Sequence, residues 1–92
     1  MGKRRYPPLS LSEVRSILEA LRFTLKRQDG SHQQYERAAQ GQRVRAIVTL
    51  DVSVSSFGEF LLRSMIRQST FSREEFYGAT EKTKRKIQPS RI

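Results

Sequence analysis

The chain contains no cysteine, no tryptophan and a single histidine among its 92 residues. Without thiols, disulfide staples, thiolate zinc sites and cysteine nucleophiles are all excluded, and the composition reads as that of a protein from a reducing compartment. No apolar run approaches the roughly 18 residues that a membrane span requires. The basic start "MGKRRYPP" leads into a capped helix instead of an apolar signal core. A soluble, cytoplasmic protein with no membrane association is expected. Hydrophobic residues make up only 36% of the chain. One small domain must therefore build its core from a few helix faces and one small sheet, and a large enzyme with a deep pocket is not expected.

Acidic residues are also scarce, 9 against 18 Lys and Arg, which leaves a net charge of +9. That excess suggests a polyanionic partner, but its distribution matters. The N-terminal arm, residues 1–8, carries Lys3, Arg4 and Arg5. The tail, residues 79–92, carries Lys82, Lys84, Arg85, Lys86 and Arg91 against Glu81. Most of the excess thus sits at the two ends, which favours weakly specific phosphate contacts from mobile arms over a shaped basic groove. Basic ends serving solubility alone are the plain alternative.

Between the ends, residues 9–78 read as one domain. In "PPLSLSEVRSILEALRF", Ser10 and Glu13 form a capping box, and Leu11, Val14, Ile17, Leu18 and Leu21 recur at helical spacing. From Phe23 the period changes to two, with Phe23 and Leu25 alternating with Thr24, Lys26 and Gln28. "QDGS" is a strong hairpin signal, the strand Ser31 to Arg37 follows, "AAQGQ" turns at Gly41, and "RVRAIVTLDV" supplies a third strand. In that strand Val44, Ala46, Val48 and Leu50 are expected to face the core, with Arg45, Ile47, Thr49 and Asp51 outward. A second helix is expected from Ser55 or Ser56, the latter capped with Glu59, burying Phe57, Phe60, Leu61 and Met65. A short helix follows, capped by Ser72 and Glu75, stapled by Phe71 and Phe76, and ended at Gly78. Beyond Gly78 the polar, basic chain is expected to be disordered. The predicted fold is α+β: helix, three-stranded antiparallel meander, helix and a short C-terminal helix, the layout of the double-stranded RNA-binding domain.

His32 lies at the exit of the first hairpin, in "KRQDGSHQQYE". By parity His32, Gln34 and Glu36 share one strand face, and Gln33, Tyr35 and Arg37 the other. If Tyr35 covers the core, His32 points to the open face beside Lys26 and Gln28 of the neighbouring strand. Imidazole, with an ordinary pKa of about 6.5, suits proton transfer between oxygens near neutral pH. RNA carries its own nucleophile in the 2′-hydroxyl, so its cleavage needs a proton acceptor, a donor and stabilisation of the phosphorane. The sequence has no second histidine and no acid cluster at ligand spacing, so no metal or other cofactor is expected.

"DGSHQQYE", after a helix ending in "LRF" and before "AIVTLDV" and "IRQSTFSREEF", resembles the HicA-type toxins, small messenger-RNA-cleaving ribonucleases of toxin-antitoxin systems. The resemblance covers Leu9 to Phe76. It implies an RNA-binding-domain-like fold, a catalytic histidine at His32, mRNA as substrate and neutralisation by a HicB-type antitoxin. Three positions depart from the family pattern. Arg22 and Thr70 stand where glycine is common. Asp51-Val52-Ser53 replaces a proline and histidine common at the end of the third strand.

Lys26, Arg27 and Gln28 are candidates to hold phosphate or developing charge. Gly30 would let the backbone approach RNA, and Ser31 could donate a hydrogen bond. On a regular strand Lys26 and Arg27 face opposite sides, so at most one reaches substrate. Tyr35 is expected in the core rather than stacked on a base. The antitoxin is expected to cover His32 and its hairpin, because loops this short form no lid. Two other readings stay open: a non-catalytic RNA-binding module, and a protein-interaction adaptor.

Overall fold

A computed structural model describes residues 5–87. Helix α1 (Leu11–Ala20) starts where its signature lies. The Ser10 hydroxyl accepts the Glu13 N–H at 3.1 Å, and the Glu13 carboxylate accepts the Ser10 N–H at 2.9 Å. Two donors that any helix start leaves open are thereby satisfied. Val14, Ile17 and Leu18 of α1 are fully buried.

Three strands, β2 (Thr24–Asp29), β3 (His32–Arg37) and β4 (Ala46–Asp51), form an antiparallel sheet in that order. Gly30, at φ +63°, makes the tight β2–β3 turn, and Gly41, at φ +59°, bends the longer β3–β4 connection. Both conformations favour glycine. On the covered face Tyr35 pairs with Val48 and Gln33 with Leu50, and Tyr35, Ala46, Val48 and Leu50 are buried. Helix α2 (Glu59–Ser69) packs along β4 and buries Leu62, Met65, Ile66 and Ser69. Helix α3 (Arg73–Tyr77) has the expected capping box of Ser72 and Glu75, and Phe76 and Tyr77 complete the core. The molecule has the α-β-β-β-α arrangement of a double-stranded RNA-binding domain.

Several local expectations are corrected. Ser56 and Phe57 do not open α2. They form β5 (Ser56–Phe57), which pairs antiparallel with β1 (Leu9–Ser10) and seals Leu9 against Phe57 in the core. This pairing moves the helix start to Glu59, behind a Gly58 N-cap with no side-chain bond. The apolar stripe follows the shifted helix, so Phe60 is 85% and Leu61 39% exposed. Val44 is 64% exposed because β4 begins only at Ala46. Leu25 lies on the uncovered edge strand β2, every residue of which is exposed.

The segment after Gly78 is helical over α4 (Glu81–Ile87), where disorder was expected. Thr83 explains its order: fully buried, its hydroxyl donates to the Tyr77 carbonyl at 2.6 Å. Lys86 reaches Glu13 at 3.4 Å and the Pro8 carbonyl at 3.2 Å, tying the helix back to the start of the domain. The basic residues of α4 therefore sit on packed structure. Lys3, Arg4 and Arg91 lie outside the described residues.

Arg22 (φ +75°) and Thr70 (φ +67°) both adopt left-handed backbone, Thr70 as the C-cap of α2. These are the two positions where the resembled family commonly has glycine. Any residue with a Cβ is strained in that region, which gives a backbone reason for glycine there.

Candidate active site

His32 is the first residue of β3, immediately past the Gly30–Ser31 turn. Cross-strand pairing places it opposite Asp51 of β4 on one side and Asp29 of β2 on the other. Its side chain is 59% exposed, with Nε2 3.7 Å from Asp51 Oδ2. Asp51 is itself held in place. Its Oδ1 accepts the Ser53 hydroxyl at 2.6 Å and the Ser53 N–H at 3.0 Å. These two bonds, with smaller contributions from the Ser31 hydroxyl and the charge of His32, outweigh desolvation and hold the Asp51 carboxyl below its ordinary range. The arrangement is an anchored carboxylate against an exposed imidazole. It leaves Nδ1 as the ring nitrogen turned from Asp51.

The expected positions of the basic candidates change because β2 is bulged. Leu25 pairs with Tyr35 and Arg27 with Gln34, leaving Lys26 as the extra residue. On a regular strand Lys26 would oppose Gln34, and Arg27 would turn away. The bulge instead brings Arg27 to the His32 face, where Arg27, Asp29, His32, Gln34 and Thr49 line a shallow hollow of about 370 Å³. Lys26 is nearer the Glu36–Arg45 ion pair. Glu36 is held below its ordinary carboxyl range mainly by its bond to Arg45, with Lys26 adding a weaker pull.

Gln28 does not stand beside His32. It pairs opposite Gln33, accepts that residue's Nε2 at 3.1 Å and donates to the Gly30 carbonyl at 3.1 Å, while Gln33 accepts the Tyr35 hydroxyl at 3.1 Å. This chain braces the turn from the opposite side of the sheet. Tyr35 is 4% exposed and belongs to the core. Gly30 leaves open space around its backbone. The Ser31 carbonyl accepts the Val52 N–H at 2.8 Å, closing the sheet behind the site.

Asp51, Ser53 and Thr49 are not among the candidate site residues read from the sequence, although the hairpin carries a signal for them. Reflecting the β3–β4 hairpin about the Gly41–Gln42 turn places His32 opposite Asp51 and Tyr35 opposite Val48, the register observed. Among the described residues, no three His, Asp or Glu side chains come together in a way that could hold a metal ion.

A second hollow, of about 220 Å³, separates the His32–Asp51 pair from α2. On its α2 side Gln68 accepts the Thr49 N–H through Oε1 at 3.2 Å and covers the free edge of β4.

A three-stranded sheet with helices packed on one face, and a histidine displayed on the polar face, defines a small protein of the double-stranded-RNA-binding-domain class. The chain belongs to the HicA toxin family of bacterial toxin-antitoxin systems, whose family model matches residues 11–70. The match runs from the first residue of α1 to the cap of α2, leaving α3 and α4 beyond it. Comparison with curated proteins and with solved structures returns no significant match. Among the described residues, no helix is long and apolar enough to cross a membrane.

Proposed function

We propose that this toxin-family protein is a metal-independent endoribonuclease that cleaves mRNA, with His32 moving the proton. The observation that carries the reading is the exposed imidazole 3.7 Å from a carboxylate that Ser53 keeps anionic. His32 accepts the proton of a substrate 2′-hydroxyl, whose oxygen attacks the adjacent phosphorus. The bond from phosphorus to the 5′-oxygen breaks, and the imidazolium returns its proton to that leaving oxygen. Asp51 positions the ring and balances its charge while the proton is held. Arg27 faces the charge that develops on the phosphorane, the Ser31 hydroxyl and the open backbone at Gly30 admit the strand, and Lys26 adds a more distant positive charge.

The site is shallow, and among the described residues no segment covers it, which supports control by a partner. A HicB-type antitoxin laying an acidic segment over Arg27 and His32 would occupy the place of the RNA phosphates. The test is expression in cells. The wild-type protein arrests growth, the antitoxin relieves the arrest, and folded His32→Ala protein has no effect. Arrest by folded His32→Ala at the wild-type level overturns the assignment.

A further inference from the structure

The geometry points to a nucleobase pocket beside His32, in which Gln68 selects the base next to the scissile phosphate; the inference rests on the ribonuclease reading above. The hollow between the His32–Asp51 pair and α2 measures about 220 Å³, below the roughly 300 Å³ at which drug-sized ligand sites begin, and so suits one nucleobase and nothing larger. Buried Met65 and half-exposed Leu61 give it apolar walls, while Ser64, Thr49 and Gln68 supply a polar rim. A flat aromatic ring with polar edges matches that lining. Because His32 and Gln68 border the same hollow, a base seated there belongs to a nucleotide whose ribose or phosphate lies at the imidazole.

The orientation of Gln68 makes the pocket selective. Its Oε1 accepts the Thr49 N–H, a donor that cannot reverse its role, so the amide is fixed with Nε2 as the remaining polar atom. Nε2 has no acceptor among the described residues. A group that can only donate favours a base that turns O4 of uracil or O6 of guanine toward it. It is mismatched to cytosine and adenine, which present an amino group at the corresponding position. Gln68 covering the β4 edge with no part in recognition is the competing account, and the two separate cleanly. Gln68→Glu still accepts the Thr49 N–H but replaces the donor with an acceptor, whereas Gln68→Met removes both functions at similar length.

The experiment maps cleavage ends on a pool of unstructured RNAs with the full-length chain. The wild type favours uracil or guanine at one position flanking the cut by about fivefold, the worth of one neutral hydrogen bond. Gln68→Glu reverses the preference toward cytosine or adenine, and Gln68→Met flattens it. Identical base profiles for the wild type and Gln68→Glu overturn the pocket. A readout that needs no cleavage accompanies this one: uncleavable 2′-O-methyl oligonucleotides are titrated while the Gln68 side-chain amide and the Met65 methyl are followed by NMR. Base-selective shifts without any cutting sustain the pocket and remove the ribonuclease reading. Cutting with both signals unmoved removes the pocket alone, and neither cutting nor shifts removes both.

Discussion

Strands β2 and β4 flank β3 on opposite sides and deliver charge to His32 in different ways. Strand β4 alternates buried and outward residues in unbroken register with β3, so the packing of Val48 and Leu50 also aims Asp51. Strand β2 is exposed along its whole length, and a bulge aims Arg27. On the β4 side the site is a by-product of the core. On the β2 side it depends on a local irregularity that the core hardly constrains, so this side can change without cost to the fold.

The largest expected contrast is in stability. Leu50→Ala empties a fully buried position and should cost about 2–5 kcal/mol, whereas Leu25→Ala, truncating a side chain on the exposed edge strand, should cost less than about 1 kcal/mol. Denaturant melts of the two variants measure this difference, and comparable losses would show that β2 is packed as firmly as β4. On the proposed ribonuclease reading the β4 side again has the larger effect. Asp51→Asn should lower kcat on the order of a hundredfold with little change in KM, since the ring loses its anionic neighbour, and Asp51→Glu should restore part of the rate. Full activity in Asp51→Asn would break the link between register and chemistry.

The same carboxylate gives a pH expectation. Its folded pKa is depressed, chiefly by Ser53, so the stability it contributes is present above the ordinary carboxyl value of 3.8 and is lost as pH falls through the lower folded value. A limb in the rate profile between about pH 5 and 8, where histidine ordinarily titrates, therefore does not report Asp51.

On the β2 side the effect is smaller and specific to the bulge. Arg27→Ala should reduce kcat/KM about tenfold, the loss of one charge-assisted contact, while Lys26→Ala should change it by less than about twofold. The reverse ranking in cleavage assays would mean that β2 runs as a regular strand. The smallest effect concerns the cap of the helix that covers β4. Thr70→Gly relieves left-handed strain but gives the unfolded chain more freedom, for a net gain of about 0.5–1 kcal/mol. A lower melting temperature for Thr70→Gly would show that the threonine side chain holds the α2 terminus.

The same contrast explains what could be read in advance. The alternation of Ala46, Val48 and Leu50 was legible because burial imposes it, and Ser10 with Glu13 and Ser72 with Glu75 were legible because capping is local chemistry. The bulge at Lys26 was not, since it is a property of two strands together and Lys26-Arg27-Gln28 has no residue that demands it. The exposure of Phe60 and Leu61 was not legible because Ser56 and Phe57 pair with Ser10 and Leu9, far away near the start of the chain. Helix α4 was concealed by its charges: what orders it is Thr83, a small polar residue whose value lies in one buried hydrogen bond to Tyr77. His32 stands out in the sequence as the single histidine, but its place opposite Asp51 emerges only when the hairpin is closed in register.

If His32 activates the substrate's own 2′-hydroxyl, a single atom of the RNA decides whether the strand is cut. A transcript carrying one 2′-deoxy nucleotide at a mapped cleavage position is incubated with wild-type and His32→Ala protein in excess chelator. The wild type should cut the unmodified transcript to a 2′,3′-cyclic phosphate or its hydrolysed form and a 5′-hydroxyl, and should fail only at the deoxy position. His32→Ala should cut neither. Cutting at the deoxy position, or undiminished cutting by folded His32→Ala protein, would contradict the account.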